Sequence, residues 1–460
     1  MNISVFGLGK LGAPMAALLA GKGHTVVGVD VNPSVVDALN RGIAPVHEPE
    51  LQDWIDRSRA RLSATTNCSD AVGRTEATFI VVPTPSEDDG SFSLRYVLSA
   101  AESIGVALSQ KLSFHLVVLC STVLPGSTGG VVLPALEAQS GKRCGQDFGL
   151  CYNPEFIALG SVIRDMRNPD VVLIGQSDAD SGEMLAAIHS RICDNHPRIA
   201  RMNFINAELT KLSVNTFVTT KISYANMLAE ICELLPGADI AVVTSALGAD
   251  SRIGSKYLKG ALGYGGPCFP RDNAALRALF RQKGLESILG DATDRINRRQ
   301  VTRLLHAITA QLPESGTVAV LGLSYKPQTE VIENSQGLEL ATQLAHKGIR
   351  VVVYDPVAMK NARRALEEKV SFADNAKACL RLADVVVITT PWPEFQQISP
   401  RDLRESNGKT IIFDCWRILP QDVFAVVADY RTVGLGPQSN YEETLQSECP
   451  AVIAKGAWNE

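Results

Sequence analysis

The chain has no apolar run near the roughly 18 residues needed to cross a bilayer as a helix. Segments such as Val117 to Cys120 and Val351 to Tyr354 have only the length of strands. It has no basic excess either: 44 Lys and Arg stand against 49 Asp and Glu, a net charge of -5, so neither nucleic acid nor a membrane is expected as a partner. Its ten cysteines include no C-x-x-C pair and no Cys/His spacing of the kind that holds zinc, so no metal is expected. Nothing before Asn2 reads as a secretory leader, and reduced thiols in a cytoplasm are the expectation. At 460 residues the chain is too long for one ordinary core, which predicts two or three domains.

What is present is an alternation of strand-like runs and helices. Ile3-Ser4-Val5-Phe6 leads into Gly7-Leu8-Gly9-Lys10-Leu11-Gly12, a helical stretch from Ala13 to Gly21, and Thr25-Val26-Val27-Gly28-Val29-Asp30. A strand, a GxGxxG turn and a helix in that order form a dinucleotide-binding unit. Gly7 allows the tight turn, Gly9 lets the backbone approach a pyrophosphate at the helix N-terminus, and Gly12 lets helix pack on strand. Asp30, ending the second strand, can accept hydrogen bonds from both ribose hydroxyls and would repel a 2'-phosphate, which predicts NAD rather than NADP. Further strands, Ala77 to Val82, Leu116 to Cys120 and Phe148 to Tyr152, end in Pro83-Thr84-Pro85, Ser121-Thr122-Val123 and Asn153-Pro154-Glu155-Phe156. The carboxyl ends of strands face the ligand crevice of a doubly wound sheet, so Thr84, Ser121, Thr122 and Glu155 are candidate contacts, although Pro, Ser and Thr also punctuate ordinary turns.

From about Ile205 to Leu235 the apolar residues recur at near-helical spacing, with no Gly or Pro before Pro236, and predict one long helix. Lys211 and Asn215, at i and i+4, share a face of it, either as a solvated pair or as a functional one. The apolar residues cover more than one narrow stripe, as a helix packed both on its own domains and on a second copy requires, so a homodimer is expected. Downstream lies Gly263-Tyr264-Gly265-Gly266-Pro267-Cys268-Phe269-Pro270-Arg271-Asp272. Taken alone it is either a glycine-rich turn with a small buried thiol or the seat of a nucleophile. Paired with a dinucleotide site, the second reading has definite chemistry: a thiolate adds to an aldehyde, and the thiohemiacetal gives up a second hydride to become a thioester.

After a helix from Asp291 to Leu312 the alternation restarts with Val318 to Leu323, a helix from Ser335 to Lys347, Val351 to Pro356 and Val385 to Ile388. This half lacks a GxGxxG fingerprint, because Gly322 is followed by Leu323-Ser324-Tyr325-Lys326-Pro327. The expected architecture is α/β, two Rossmann-like doubly wound domains joined by a long central helix, with a cleft that a ligand would use.

With these residues in place, the chain resembles the UDP-glucose/GDP-mannose dehydrogenase family over nearly its whole length. The resemblance is carried by the Gly7 to Gly12 turn with Asp30, by Pro83-Thr84-Pro85, Ser121-Thr122-Val123, Asn153-Pro154-Glu155-Phe156, and Ala207-Glu208-Leu209-Thr210-Lys211 with Asn215. Arg252-Ile253-Gly254 with Lys256-Tyr257-Leu258-Lys259, the Gly265 to Asp272 segment, and Gly322 to Pro327 complete it. It implies oxidation of the C6 alcohol of a nucleotide sugar to a carboxylate by two NAD, with Cys268 as nucleophile. Lys211 and Asn215 would polarise the reacting oxygen, Asp272 and Thr122 would order a water, and Glu155 would activate water against the thioester. Gly7, Gly9, Leu11, Gly12, Asp30, Thr84, Ser121, Thr122 and Arg271 would hold NAD. Glu155, Phe156, Lys211, Arg252, Lys256, Tyr257, Leu258, Gly265, Phe269, Lys326 and Arg417 would contact the substrate, expected to be UDP-glucose. The implied domains are an NAD-binding domain over 1–204, a central and dimerising domain over 205–300 that carries the Cys268 segment, and a nucleotide-sugar-binding domain over 301–460.

Departures from the family pattern lie around the substrate. Leu159 stands where many members have a second glutamate, and a helical turn after Glu155 would set it over that carboxyl. Arg271 replaces a lysine, Glu333 replaces an arginine directed at NAD, and Arg417 in Asp414-Cys415-Trp416-Arg417 is a candidate substitute for that arginine. They leave open another nucleotide hexose, such as a UDP-N-acetylhexosamine or GDP-mannose. Two other classes are a single-step β-hydroxyacid-type dehydrogenase and a non-catalytic nucleotide-sugar binder; the Cys268 segment and the second α/β domain argue against the first, and the full set Cys268, Lys211, Asn215, Asp272 and Glu155 against the second.

Overall fold

Strands with apolar residues on both faces cannot tolerate water on either, and the chain buries them under helices on two sides. The structure is a computed structural model that describes residues 1–404 and 409–437. The part of the expected C-terminal domain beyond 437 lies outside the described residues. The chain divides into two compact units. One comprises 1–218, 265–292 and 324–334, and the other 219–264, 293–323 and the described residues from Ser335 onward. Among the described residues no helix is long and apolar enough to cross a membrane.

The first unit is built on eight strands: β1 (Asn2–Phe6), β2 (Thr25–Val29), β3 (Leu62–Thr65), β4 (Ala77–Ile80), β5 (His115–Leu119), β6 (Phe148–Tyr152), β7 (Val171–Gln176) and β8 (Arg198–Met202). Their order is β3-β2-β1-β4-β5-β6-β7-β8, parallel except for the β6–β7 pair, so the doubly wound order with its switch point between β1 and β4 is present. Alternation along each strand feeds two cores. Ile3, Val5, Phe79, Leu116 and Val118 enter one, and Phe6, Ile80, Val117 and Leu119 the other.

The second unit repeats the plan with β9 (Thr317–Leu321), β10 (Arg350–Tyr354), β11 (Ser371–Phe372), β12 (Val385–Ile388), β13 (Ile411–Asp414) and β14 (Asp429–Thr432). Their order is β11-β10-β9-β12-β13-β14, all parallel. The likeness reaches individual atoms. Asp30 Oδ2 accepts from Leu8 N at 2.8 Å, and Asp355 Oδ2 accepts from Leu323 N at 2.8 Å. A Cβ on Gly12 would overlap the Gly7 carbonyl, and one on Gly337 would overlap the Gly322 carbonyl. The same close approach of helix to strand is thus made in both halves, but in the second the glycines are fifteen positions apart instead of five. The extra residues, 324–334, belong to the first unit. Asp355 also accepts from Trp392 Nε1 at 3.2 Å and is fully buried, so an indole lies against the carboxylate in the place a ribose would need.

The long helix runs Phe204–Cys232 and contributes to both units. Of the other expected helices, that from Asp291 to Leu312 begins earlier, at Ile288, and ends at Thr309, and the one at 335 runs Gln336–His346 with the Ser335 hydroxyl accepting from Leu338 N as its cap.

Three histidines of the first unit are buried in neutral form. His115 Nδ1 donates to the Thr75 carbonyl at 3.1 Å, so its Nε2 accepts from the Thr78 hydroxyl at 2.7 Å. His189 Nε2 donates to Asn153 Oδ1 at 2.7 Å. Burial, reinforced for His24 by the N-terminal ammonium and for His115 by Lys111, holds His24 at about 4, His115 at about 3 and His189 at about 4. The unfolded chain therefore takes up protons below about 6.5 that the folded one refuses. Stability present above that pH is lost as pH falls toward 4, by roughly 1.5 kcal/mol per histidine between 6.5 and 5. Urea midpoints measured across this range should fall, and His189→Gln, which retains a donor for Asn153, should flatten the slope by one histidine's share.

Candidate active site

Gly7 leaves β1 with φ of 89°, and its N–H donates to Val29 O at 2.8 Å. Gly9 faces open space, and the helix Gly12–Gly21 begins at Leu11 without a side-chain cap. Its N-terminus is therefore available to an anion. Asp30 takes one bond on each oxygen, from Leu8 N and from Asn32 N at 2.9 Å, which leaves a lone pair on each for a ribose. These residues fit a dinucleotide.

The next two strand ends are knitted together. Thr84 Oγ1 donates to Thr122 O at 2.9 Å, while Ser121 Oγ donates to Val82 O at 2.6 Å and accepts from Val82 N at 3.1 Å. Thr84 and Ser121 are nearly buried and Thr122 is partly exposed. The loop continues to Gly126 and Thr128, whose N–H groups donate to the fully buried carboxylate of Glu208 at 2.6 and 2.7 Å. Glu208 thereby ties this loop to the long helix.

One turn further along that helix, Lys211 Nζ donates to Glu155 O at 2.7 Å and stands 4.7 Å above the Phe156 ring. Asn215 Nδ2 donates to Asp272 Oδ2 at 2.6 Å, and Asp272 N donates to Cys268 O at 2.8 Å. Lys211, Asn215 and Asp272 are all buried. Arg271 Nη1 donates to Thr84 O at 3.3 Å, its Nε lies 3.7 Å from Asp272 Oδ1, and its guanidinium covers the Phe92 ring. Lys211, Asn215, Glu155, Asp272 and Cys268 are thus brought together in one unit.

Cys268 occupies the N-cap position of the helix Phe269–Gln282, with Phe269 partly exposed in its first turn. Among the described cysteines it alone is exposed. Crowding around the sulfur raises its thiol, Asp272 adds to that, and Arg271 and Lys211 oppose it. Burial likewise draws the Lys211 ammonium down, against Asp272, Cys268 and Glu155, and pushes the Glu155 carboxyl up to about 7, against Lys211.

The residues before Cys268 are shaped by segment 324–334. Gly266 N donates to Glu333 O at 2.9 Å, and a Cβ on Gly266, whose φ is 81°, would strike the Tyr325 ring. Gly265 has the same need, since its Cβ would overlap Asn334 O. Lys326 Nζ stands 5.9 Å from the Tyr325 ring centre, its ammonium drawn down by burial while Asp165 and Glu48 pull it up. An open cleft of about 530 Å³ runs between Thr84, Pro85, Pro267, Arg271, Glu333 and Asn334.

The amino-acid sequence matches the UDP-glucose/GDP-mannose dehydrogenase family's NAD binding domain over residues 1–193, its central domain over 205–299 and its UDP binding domain over 319–421. The chain belongs to the UDP-glucose/GDP-mannose dehydrogenase family. It is 39% identical over 423 residues to the UDP-glucose 6-dehydrogenase AglM of Haloferax volcanii, covering 91% of this chain and 97% of that one. It is 36% identical over 359 residues to the GDP-mannose 6-dehydrogenase of Azotobacter vinelandii, covering 77% and 81%. A solved UDP-glucose dehydrogenase from Pyrobaculum islandicum superposes with a TM-score of 0.84 at 35% identity, over 95% and 96% of the two chains. As a member of this family the chain is an NAD-dependent dehydrogenase of nucleotide sugars.

The remaining expected contacts lie in the second unit. Arg252 is exposed and its Nη2 donates to Asp250 Oδ2 at 2.5 Å; Lys256 and Tyr257 are exposed and Leu258 is buried. Arg417, at φ of 54°, gives Nη1 to Asp239 Oδ1 at 2.6 Å and Nη2 to Val433 O at 3.0 Å. Its guanidinium is therefore committed within that unit. Residues 153–158 form no helix, so Leu159 is not held over Glu155 by a helical turn; it packs instead against the core that contains Val162 and Ile163.

Two anchoring carboxylates had no role in the sequence reading. Glu208 was visible only as part of a matched string. Glu48 is buried and accepts from Gly160 N at 2.9 Å and Val162 N at 2.8 Å, fixing the far end of the loop that begins at Glu155. No local pattern marks it, because its partners lie more than a hundred residues away. Glu48→Gln should cost about 1–3 kcal/mol, since one N–H then meets an amide N–H instead of a charged oxygen. Amide hydrogen exchange at Gly160 and Val162 should accelerate ahead of the rest of the unit; unchanged protection there would show that the loop holds itself.

Proposed function

We propose that this chain oxidises UDP-glucose at C6 to UDP-glucuronate, RCH2OH + 2 NAD+ + H2O giving RCOO− + 2 NADH + 3 H+. The observation that carries the mechanism is the exposed Cys268 thiol flanked by Lys211, Asp272 and Arg271. When bound, NAD supplies the acceptor for each of two hydrides.

The chain's own residues do the rest. Lys211 has three N–H bonds and spends one on Glu155 O; Asn215 has two on Nδ2 and spends one on Asp272. The N–H bonds left over are offered to the substrate oxygen as it loses its proton, and again to the oxyanion formed when sulfur adds to the aldehyde carbon. The S–H proton passes to that oxygen, giving a thiohemiacetal on Cys268. Loss of the second hydride and the hydroxyl proton leaves a thioester, and water then breaks the C–S bond and returns the proton to sulfur. Glu155, its carboxyl pushed up to about 7 by burial, is suited to take a proton from that water. Thr122 and Asp272 help to order it, and Lys326 offers a cation to the diphosphate.

The test is a panel of UDP-, GDP- and TDP-hexoses, UDP-N-acetylhexosamines included. UDP-glucose should give two NADH per substrate, with a hydrolysis rate that rises with pH through about 7. One NADH per substrate would instead indicate single-step chemistry, and preference for another nucleotide hexose would move the specificity within the family. Cys268→Ala should form no acid. Glu155→Gln should slow hydrolysis by roughly a hundredfold or more and accumulate a covalent adduct on Cys268 in intact-protein mass spectrometry. Normal turnover without adduct would transfer the task to Asp272 acting with Lys211.

The finer assembly is also a proposal. Along the long helix, Phe217, Tyr224 and Ile231 recur every seven residues with Met227 beside them, and are 64%, 45%, 48% and 44% exposed. The opposite face, with Leu212, Ala225 and Ala229, is fully buried. A second copy of this chain covers the stripe, giving a homodimer that works in a reducing cytoplasm. Light scattering should return twice the chain mass at micromolar concentration, and Tyr224→Lys should halve it; a fully active monomer would overturn this.

A further inference from the structure

We propose that Glu333 makes this chain hold oxidised NAD in preference to NADH, an inference that rests on the dinucleotide site described above. The main chain of Glu333 is fixed: its carbonyl accepts from Gly266 N at 2.9 Å, and its neighbour Asn334 donates from Nδ2 to Gly266 O at 3.5 Å. The residue is therefore tethered two positions before Cys268. Its side chain is exposed and lines the cleft with Thr84, Pro267 and Arg271. Among the described residues its carboxylate takes part in no hydrogen bond or ion pair.

The direction in which a dinucleotide lies follows from the sheet. Asp30 at the end of β2 takes the adenosine ribose and the Gly7 to Gly12 turn takes the pyrophosphate, so the nicotinamide half runs to the other side of β1, over the end of β4. That end is Pro83-Thr84-Pro85, one wall of the cleft, and the opposite wall carries Pro267 beside Cys268. The reacting ring must come near Cys268 if the thiol is to capture the product of the first hydride transfer. The oxidised ring is a cation and the reduced ring is neutral, so a carboxylate in this cleft attracts only the first.

Arg271 does not cancel the effect. Its guanidinium gives a hydrogen bond to Thr84 O, covers Phe92 and lies 3.7 Å from the buried Asp272 carboxylate, which offsets its charge locally. The Glu333 carboxylate is left as the unpaired charge. Because it is exposed, solvent screens it, and about two- to sixfold is the expected discrimination. Weaker retention of NADH would favour release of the first reduced cofactor while the sugar stays attached at Cys268.

The test is binding to the full-length protein without substrate. NADH is titrated by its own fluorescence and NAD+ by displacement of it, for the unmodified chain, Glu333→Gln and Glu333→Asp. Glu333→Gln should weaken NAD+ about two- to sixfold and leave NADH unchanged. Glu333→Asp should restore most of the difference, and raising salt from about 0.02 to 0.5 M should shrink the preference only where the carboxylate is present. Equal shifts for both nucleotides, or none, would overturn the charge argument while leaving the site intact. An unmodified chain that binds neither nucleotide would overturn the dinucleotide site, and this inference with it.

Discussion

Asn215 and Asp272 share a buried hydrogen bond of 2.6 Å, and the arrangement around Cys268 depends on it. Among the described residues Asp272 Oδ1 has no hydrogen-bond partner, and Asn215 is the one side chain that hydrogen-bonds this buried carboxylate. Losing it would leave the buried carboxylate with Arg271 at 3.7 Å as an ion-pair neighbour but without that hydrogen bond, at a cost of about 1–3 kcal/mol or more. The bond also sets the rotation of the long helix. With Asn215 fixed, Lys211 four residues earlier faces Glu155 O, and Glu208 faces the N–H groups of Gly126 and Thr128. One helix face thus locates two strand-end loops of the first unit and the helix that begins at Phe269.

The two halves show how one plan can be kept in outline and altered at its ligand-facing turn. Both retain the strand order, the close glycine contact and the aspartate that accepts from the N–H after the first glycine. In the first half Asp30 is only partly covered and Gly9 faces open space. In the second, Trp392 lies on Asp355, and the short turn has become a long excursion through 324–334. That excursion supplies Tyr325, Lys326 and Glu333 to the first unit, so sequence spent on one site has been converted into parts of another.

What could be read from sequence was whatever is encoded locally. The turn from Gly7 to Gly12, the strands, and the loops at their carboxyl ends follow from neighbours within a few residues, and so does the shared face of Lys211 and Asn215. Strands β7 and β8 and the antiparallel step before them carry no equivalent signal, since reversing a strand leaves its composition unchanged. Glu48 was illegible because a carboxylate meeting two N–H groups across more than a hundred residues leaves no spacing to detect. The assignment of 324–334 to the first unit was hidden for the same reason. Leu159 shows the opposite error: i+4 spacing has meaning only on a helix, and Asn153-Pro154-Glu155 does not begin one.

Burial moves three ionisable groups of the proposed site toward neutrality, raising Cys268 and Glu155 and lowering Lys211. Such a site is not poised by permanent charge. Each oxyanion of the proposed sequence would raise the Lys211 ammonium's pKa, because a negative neighbour favours the cation. The lysine's hold therefore tightens as charge develops and relaxes when the carbonyl reforms. An interaction stronger in the charged intermediate than in the ground state lowers the barrier, whereas a fully solvated cation would bind both almost equally. The desolvation that makes Lys211 costly to bury is what gives it this selectivity, and the tertiary packing that holds the long helix against Glu155 and Asp272 is what sustains that cost.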